Sequence, residues 1–248
     1  MNYRYESDPQ SYEDFASGRV LYNTRGMTAF PVRLASEIVQ RAFQILRGHD
    51  LEGPYHLYDP CCGGAYLLTV VSMLHGSHIR KLTASDIDTA LLETAKRNLA
   101  LLSRQGMEQR RTQLMELYEE YGKPSHREAL ESLARLKERN QSHGQFNIHI
   151  FSQDVTADHW THQPDIPIHE KVDLLLTDLP YGQLADWSGN RPDPLGDFFA
   201  NVYPLLRPGQ SVLAVIANKG PKLQHDQYDR VQYGKIGKRQ FALMVPKQ

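Results

Sequence analysis

Cysteine is scarce in this sequence of 248 residues: Cys61 and Cys62 are the only two, and they are adjacent. Neighbouring cysteines are poorly placed for a structural disulfide, and two cannot supply the four ligands of a structural zinc site. The histidines show no metal-ligand spacing, so we expect no bound metal. No apolar run approaches the roughly 20 residues that span a bilayer, and the first residues lack the apolar core of a secretory signal. These absences predict a cytoplasmic protein.

A strong excess of charge is also missing, because the formal net charge is −1. Overall charge therefore does not indicate a nucleic-acid-binding protein. The C-terminal part is nevertheless locally basic, and Asp226 and Asp229 are the acids that oppose its cations. Such a segment is either a solvated face or a phosphate-binding surface, and charge alone favours the solvated face. Its basic residues are Lys219, Lys222, Arg230, Lys235, Lys238 and Arg239.

Short apolar segments alternate with helical ones through most of the chain. This alternation, with segments rich in Val, Leu and Ile, predicts an α/β fold whose mostly parallel sheet is covered on both faces. Two later segments, Arg230–Tyr233 and Gln240–Val245, are predicted to form an antiparallel pair at the edge of the sheet. The other predicted strands are His56–Tyr58, Lys81–Ser85, Phe146–Phe151, Val172–Thr177 and Ser211–Ile216.

No repeat or flexible linker interrupts the sequence, which favours a single domain over residues 1–248. Residues 1–50 are predicted to be an N-terminal extension that ends in an amphipathic helix. Residues 104–144 are too many for an ordinary connection and are predicted to be a helical insertion, in which Ser125 and Glu128 match a capping box. The insertion is either a solvated elaboration or a substrate grip, and its balanced charge favours the first.

Acidic residues follow three successive predicted strands, at Asp59, Asp86 and Asp154. Ligands of open α/β sheets bind at these carboxyl ends, where a carboxylate can accept hydrogen bonds from ribose hydroxyls. The alternative for Asp86 is a helix cap, a role that Asp88 can fill. The GxGxxG pattern is absent, and three acids suit an adenosine without phosphate and a positive sulfonium. We therefore predict an S-adenosylmethionine site that consists of Asp59, Pro60, Cys61, Gly63, Gly64, Asp86, Ile87, Asp154 and Val155.

The segment after the fourth predicted strand resembles the [Asp/Asn/Ser]-Pro-Pro-[Tyr/Phe] signature of methyltransferases that act on planar nitrogen. It reads Asp178-Leu179-Pro180-Tyr181. An exocyclic amine is a weak nucleophile because its lone pair is delocalised, and the Asp178 carboxylate and Leu179 carbonyl would assist by accepting its N–H bonds. For a ring N–H, Asp178 would be a general base. Tyr181 would stack on the base, and Pro180 would stiffen the turn.

Taken alone, the segment Asp178–Tyr181 is equally explained as a turn that closes a buried strand. Its position after the three acids favours the interpretation as a methyl-transfer site.

Several segments together resemble the AviRa-type ribosomal RNA methyltransferases, which are linked to avilamycin resistance. The resemblance runs from about Gly18 to Arg239, and its most particular segment is Tyr121–Ser125 in the helical insertion. It implies a Rossmann-like class I methyltransferase fold with a seven-stranded, mostly parallel sheet and an antiparallel C-terminal strand. It also implies methylation of a guanine base in 23S ribosomal RNA, and it makes Leu179 a family feature. The other segments are Ala29–Ala35, Asp59–Gly63, Tyr66–Val70, Asn98–Ser103 and Thr177–Gly182.

The sequence departs from this family at one turn, where Gly63-Gly64-Ala65 replaces Gly-Ser-Gly. A methyl at Ala65 is expected to narrow the approach to the cofactor, and Gly64 to compensate through backbone freedom. The resemblance also assigns the segment from Thr28 to Arg33 to the cofactor or substrate side, although Arg33 is equally explained as an exposed residue at a helix start. Contacts with RNA are predicted at Arg33, Lys235, Lys238 and Arg239.

Two other functions fit the same residues. A DNA or small-molecule N-methyltransferase would keep the cofactor motifs, and assays on RNA, DNA and ribosomal subunits would distinguish it. A non-enzymatic RNA-associated protein would bind S-adenosylmethionine without forming a product. The Asp178 segment has no obvious purpose in such a protein, so the sequence favours the enzyme.

Overall fold

The structure is a computed structural model that describes residues 3–23, 29–140, 144–158, 168–180 and 191–248. In the described part of the chain, no helix is long and apolar enough to cross a membrane. The helices are α1 (Val32–Gly48), α2 (Tyr66–His75), α3 (Thr89–Ala100), α4 (Arg104–Tyr121), α5 (Pro124–Asn140) and α6 (Pro194–Val202). The strands are β1 (Tyr55–Asp59), β2 (Ile79–Asp86), β3 (Asn147–Ser152), β4 (Leu174–Asp178), β5 (Val212–Asn218), β6 (Tyr228–Ile236) and β7 (Arg239–Pro246).

These strands form one sheet in the order β3-β2-β1-β4-β5-β7-β6. Strands β1 to β5 pair in parallel, whereas β7 runs antiparallel to β5 and β6. The predicted α/β fold with a mostly parallel sheet and an antiparallel C-terminal strand is confirmed. Strand order reverses between β1 and β4, so a crevice opens at the carboxyl ends of these two strands.

The central strands β1, β4 and β5 are buried along almost their whole length, which explains why β4 and β5 are nearly continuous apolar runs. On one face, Leu57 and Ile216 belong to a core that includes Ile38 of α1. On the other face, Tyr58 belongs to a core that includes Phe198 of α6. Burial of each such side chain contributes roughly 1.5–3 kcal/mol, so the sheet is a rigid support for the residues at its carboxyl edge.

The N-terminal extension is held against α1 by a buried carboxylate. Glu37 accepts hydrogen bonds from the backbone N–H groups of Arg4, Tyr5 and Glu6, each at 2.8–2.9 Å. Burial favours protonation of Glu37, but these three amides and Arg41 outweigh it and lower the pKa of the carboxyl. The extension is therefore fixed by charge-assisted bonds to a helix as well as by apolar packing.

The helical insertion consists of two antiparallel helices, α4 and α5, joined at Gly122, whose φ of +60° is left-handed. The capping box predicted at Ser125 is wrong, because α5 already begins at Pro124. Proline is favoured at the first helical position, which places Ser125 inside the first turn. Glu128 instead accepts a bond from the Arg19 guanidinium at 2.7 Å and so ties α5 to the N-terminal extension.

Candidate active site

Asp59 ends β1 at the crevice and is almost fully buried, with 2% of its surface exposed. Its Oδ1 accepts a hydrogen bond from the backbone N–H of Cys61 at 3.2 Å. Burial, with a smaller contribution from the carboxylates of Asp86 and Asp178, raises the pKa of Asp59 to about 8. A positive charge bound beside it would favour the ionised form.

Asp86 holds the glycine turn against the end of β2. Its Oδ2 accepts from the Gly63 N–H at 2.8 Å, and its Oδ1 accepts from the Asp88 N–H at 3.0 Å. Burial raises the pKa of Asp86 as well. Each carboxylate oxygen has a second lone pair, so these bonds leave capacity for ribose hydroxyls. The cap role weighed for Asp86 belongs to Asp88, whose side chain accepts from Ala90 and Leu91 at the start of α3.

The rest of the turn is built from backbone contacts and packing. The Pro60 carbonyl accepts from the Ser85 hydroxyl at 3.4 Å. Burial raises the pKa of the Cys61 and Cys62 thiols well above the ordinary value, so neither is an activated nucleophile. Ala65 has a left-handed φ of +54°, a conformation that costs a non-glycine residue roughly 1–2 kcal/mol. Its methyl group is fully buried in the core, which contradicts the expectation that it narrows the cofactor approach.

Asp154 follows β3 in a turn beside Asp86. The Gln153 N–H donates to the Asp86 carbonyl at 3.1 Å, and Asp154 Oδ1 accepts from both the amide and the hydroxyl of Thr156. Val155 is buried, whereas the Ile87 side chain is 46% exposed next to Asp86. The structure thus brings the second and third acids to one edge, with an exposed apolar side chain next to them.

Asp178 ends β4 at the same edge of the sheet. The contacts of the next residue explain why leucine replaces the first proline of the signature at position 179. Leu179 is buried, and its backbone N–H donates to the Ile216 carbonyl of β5 at 2.8 Å. Proline has no N–H and would lose this bond. Pro180 is exposed. Tyr181 lies outside the described residues, so its stacking role stays a prediction.

Arg239 begins β7 and lies against Asp178 rather than on the exposed basic surface. Its guanidinium lies 3.9 Å from Asp178 Oδ2 and 5.0 Å from the centre of the Phe30 ring. The two charged side chains are only 18% and 15% exposed. The sequence interpretation grouped Arg239 with the RNA-contact lysines and missed this neighbour. The contact depends on the antiparallel register of β7 against β5, in which Arg239 pairs with Asn218, and no local sequence pattern reveals that register.

The other predicted RNA-contact residues have different surroundings. Lys235 and Lys238 are exposed at the end of the β6–β7 hairpin. Arg33 donates to the backbone carbonyls of Glu6 and Ser7, so in this structure its guanidinium holds the N-terminal extension. Thr28, assigned to the same side of the site by resemblance, lies outside the described residues.

Asn98 of α3 is a fully buried polar residue that sequence reasoning did not single out for the site. Its Nδ2 donates to the Gly64 carbonyl at 2.8 Å and to the Tyr22 carbonyl at 3.1 Å, and its Oδ1 accepts from the Tyr22 N–H at 2.8 Å. One side chain therefore joins Tyr22 to the Gly63–Gly64 turn, which is the predicted cofactor turn. No local pattern reveals such a bridge, because its two partner residues, Tyr22 and Gly64, are distant from Asn98 in the sequence.

Comparisons with known proteins point to one family. The family described as rRNA methyltransferase AviRa matches residues 1–239. A 23S rRNA (guanine(2535)-N(1))-methyltransferase of Streptomyces viridochromogenes is 38% identical over 244 residues, which cover 98% of this chain and 95% of that protein. A solved structure of the rRNA methyltransferase aviRa from the same species is 37% identical and has a TM-score of 0.87, with 98% of this chain and 96% of that one covered.

A more distant structure supports the fold alone. The N-terminal domain of human METTL16 in complex with SAH is 12% identical, with a TM-score of 0.54 over 95% of this chain and 78% of that one. The Streptomyces relatives, in contrast, share 37–38% of their residues with this chain over nearly their whole length. This chain therefore belongs to the AviRa family of rRNA methyltransferases.

Proposed function

We propose that this protein transfers a methyl group from S-adenosylmethionine to N1 of a guanine in 23S ribosomal RNA. The observation that carries the proposal is the Asp178 carboxylate at the end of β4, on the same edge as the acid-lined turn around Gly63. Membership of the AviRa family supports the substrate, and the relative named for guanine N1 supports the atom. Resistance to avilamycin-type antibiotics and a cytoplasmic site of action belong to the same proposal.

The residues at the crevice fit S-adenosylmethionine. Asp86 would hold the ribose hydroxyls, and Asp154 with Ile87 would hold the adenine. Asp59, Pro60 and Cys61 would form the floor of the turn, and Gly63 and Gly64 would pass under the methionine part. Val155 would support the adenine pocket from the core. When bound, the cofactor supplies an electrophilic methyl group, so no protein nucleophile is required.

The target atom determines what Asp178 does. Guanine N1 carries a proton, and its lone pair is available only when that proton leaves. A carboxylate within hydrogen-bond reach of N1–H would accept the proton as general base, which is the second of the two roles predicted for Asp178. The Leu179 carbonyl would position the base, and Pro180 and Tyr181 would shape and cover its pocket. The guanine would be extruded from its stack, as enzymes that modify base atoms generally require.

An exposed surface next to the site would contact the RNA. Lys235 and Lys238 would bind phosphates, an interaction that releases counterions and depends on salt. Tyr233, on the edge strand β6, is 43% exposed. The centre of its ring lies 4.8 Å from the Arg230 guanidinium and 5.7 Å from the Lys235 ammonium. Aromatic and guanidinium groups of this kind stack with unpaired bases. Any role of Arg33 in RNA binding would require its bonds to the N-terminal extension to open.

Substitution of Asp178 tests the proposal. Asp178→Ala should abolish methyl transfer to 23S RNA while calorimetry still detects S-adenosylmethionine binding. Asp50→Asn, an exposed aspartate after α1, is the control and should keep full activity. Primer extension on the RNA product should stop at one guanine, because N1 methylation blocks Watson–Crick pairing. Full activity of Asp178→Ala would overturn the mechanism, and transfer only to DNA or small molecules, or cofactor binding without any product, would overturn the function.

A further inference from the structure

The ion pair between Asp178 and Arg239 has a geometry that a ligand can share. The 3.9 Å between Arg239 and Asp178 Oδ2 is longer than the 2.7–2.9 Å of a charge-assisted hydrogen bond. The two side chains therefore lie at ion-pair distance without a direct hydrogen bond between them. Both side chains are more than four-fifths buried at the carboxyl edge of the sheet, so a ligand there would meet them with little competing water.

Together these groups present an acceptor and a donor side by side. The Watson–Crick edge of guanine carries the complementary pattern, with N1–H as donor and the neighbouring O6 as acceptor. Adenine has an unprotonated N1, whose lone pair would face the Asp178 carboxylate in the same pose. A base that leaves a buried polar group without a hydrogen-bond partner binds much more weakly, so the Asp178–Arg239 pair would select guanine over adenine.

We propose that Arg239 binds O6 of the target guanine and stabilises the negative charge that develops there while N1 is methylated. This inference rests on the proposed function and assigns Arg239 to the reacting base instead of to RNA phosphate. It goes beyond the role of Asp178, since the arginine acts on the other end of the same amide.

Methyl transfer to guanine N1 breaks the N1–H and carbon–sulfur bonds and forms an O–H bond on Asp178 and the N1–CH3 bond. The N1–H bond breaks, and its proton passes to the Asp178 carboxylate. The electron pair left on N1 is shared with O6, where Arg239 donates hydrogen bonds to it. The N1–CH3 bond forms as the carbon–sulfur bond of the sulfonium breaks, and that electron pair stays on sulfur. The base is neutral before and after the step, so charge on O6 exists only along the way, and a donor there lowers the barrier selectively.

The surroundings of Arg239 favour this role over phosphate binding. Phe30, from the segment before α1, lies beside the guanidinium and holds it at the site edge. Asp178 comes from β4, and Asp59 of β1 is close enough that the Asp178 charge contributes to its raised pKa. The neighbouring exposed cations are Lys219 and Lys238, whose backbones are bonded to each other at 2.9 Å. An arginine between Phe30 and Asp178 lies beside the carboxylate that would receive the N1 proton.

The test compares Arg239→Gln and Arg239→Lys by their dependence on pH. Loss of one donor to an oxyanion costs about 10²–10³ in rate, so Arg239→Gln should lose that much in kcat at pH 7. The deficit should shrink as pH rises, because hydroxide then ionises N1–H without help from the arginine. Arg239→Lys keeps the charge without the planar fork and should lose less. S-adenosylmethionine affinity should stay within about twofold in both variants, since Arg239 lies outside the cofactor turn.

Controls separate this inference from the proposed function. Arg47→Gln, an exposed arginine at the far end of α1, should leave activity unchanged, and thermal melting should show that each Arg239 variant is folded. If wild-type protein forms no N1-methylguanine in 23S RNA, the proposed function fails. If wild-type protein forms it but Arg239→Gln is as active, or is impaired equally at every pH, the role of Arg239 fails while the function stands.

Discussion

Aspartates at the carboxyl edge of the sheet have the same chemistry but different environments. Burial raises the pKa of Asp59 to about 8, Asp86 is half-buried and accepts hydrogen bonds from two backbone amides, and Asp178 has a guanidinium beside it. Groups whose surroundings push their pKa values apart can take different roles at one pH. The structure thus provides one carboxyl, Asp59, whose ionisation a positive ligand would favour, and another, Asp178, that lies beside a guanidinium.

Asp59 makes a prediction about stability and pH. Its folded pKa of about 8 lies above the unfolded value of 3.8, so the chain takes up a proton at Asp59 on folding between those pH values. The unfolding free energy of the wild type should therefore fall with rising pH relative to Asp59→Asn, by up to about 1.4 kcal/mol per pH unit. Urea unfolding of both proteins from pH 5 to pH 9 measures this difference. Parallel curves for the two would contradict it.

At the scale of elements, the α3–α4 junction positions the insertion and the cofactor turn together. Asn98 near the end of α3 bonds to Gly64, and Tyr22, which Asn98 also holds, donates through its hydroxyl to Gln113 of α4 at 2.8 Å. The turn between the two helices is tight: a Cβ on Gly106 would lie 2.0 Å from the Ala100 carbonyl oxygen. Displacement of α4 would therefore be transmitted to the cofactor turn.

Gly106→Ala should destabilise the protein although alanine is the better helix former. The propensity gain is about 1 kcal/mol, but the clash is with backbone that cannot rotate away, and overpacking typically costs about 1–3 kcal/mol or more. Gly48→Ala is the matched control, since Gly48 ends α1 with nothing within 4 Å of its added Cβ, and it should be neutral or stabilising. Chemical unfolding of both variants gives the comparison. A stabilised Gly106→Ala would show that the junction can relax.

For the molecule as a whole, the net charge is −1, so the positions of exposed lysines matter more than their excess over acids. Exposed lysines at the β6–β7 hairpin lie on the edge that carries Asp178, because that hairpin ends where β5 ends. The opposite edge also carries exposed lysines, at Lys171 before β4 and Lys247 after β7. A bulk charge of nearly zero is thus compatible with RNA binding, provided that position rather than number matters.

The salt dependence of RNA binding tests whether the lysines of the β6–β7 hairpin contact RNA phosphates. Each phosphate contact that is removed lowers the slope of log affinity against log salt by about one, so Lys235→Gln/Lys238→Gln should lower it by about two. Lys171→Gln/Lys247→Gln makes the same change in net charge at the opposite edge and should leave the slope unaltered. Binding of a 23S RNA fragment, titrated at several salt concentrations, measures both. Equal slopes for the two double variants would remove the hairpin from the RNA interface.

The sequence by itself determined the fold class, the order of the strands along the chain and the acids that follow them. These are local signals, because the spacing of apolar residues and the acidic residues that follow each strand depend only on positions close together in the sequence. It also identified the family, through segments such as Tyr121–Ser125. The capping box at Ser125 failed even at this local scale, since Pro124 had already begun the helix.

Only the tertiary structure decided which side chains share the site. Arg239 meets Asp178 because β7 folds back beside β5, and Asn98 meets Gly64 because α3 packs beside the first turn. Burial, which raises the pKa of Asp59, likewise depends on elements distant in the chain. Contacts of this kind arise from strand register and helix packing, and neither is encoded in the residues on either side of the groups that meet.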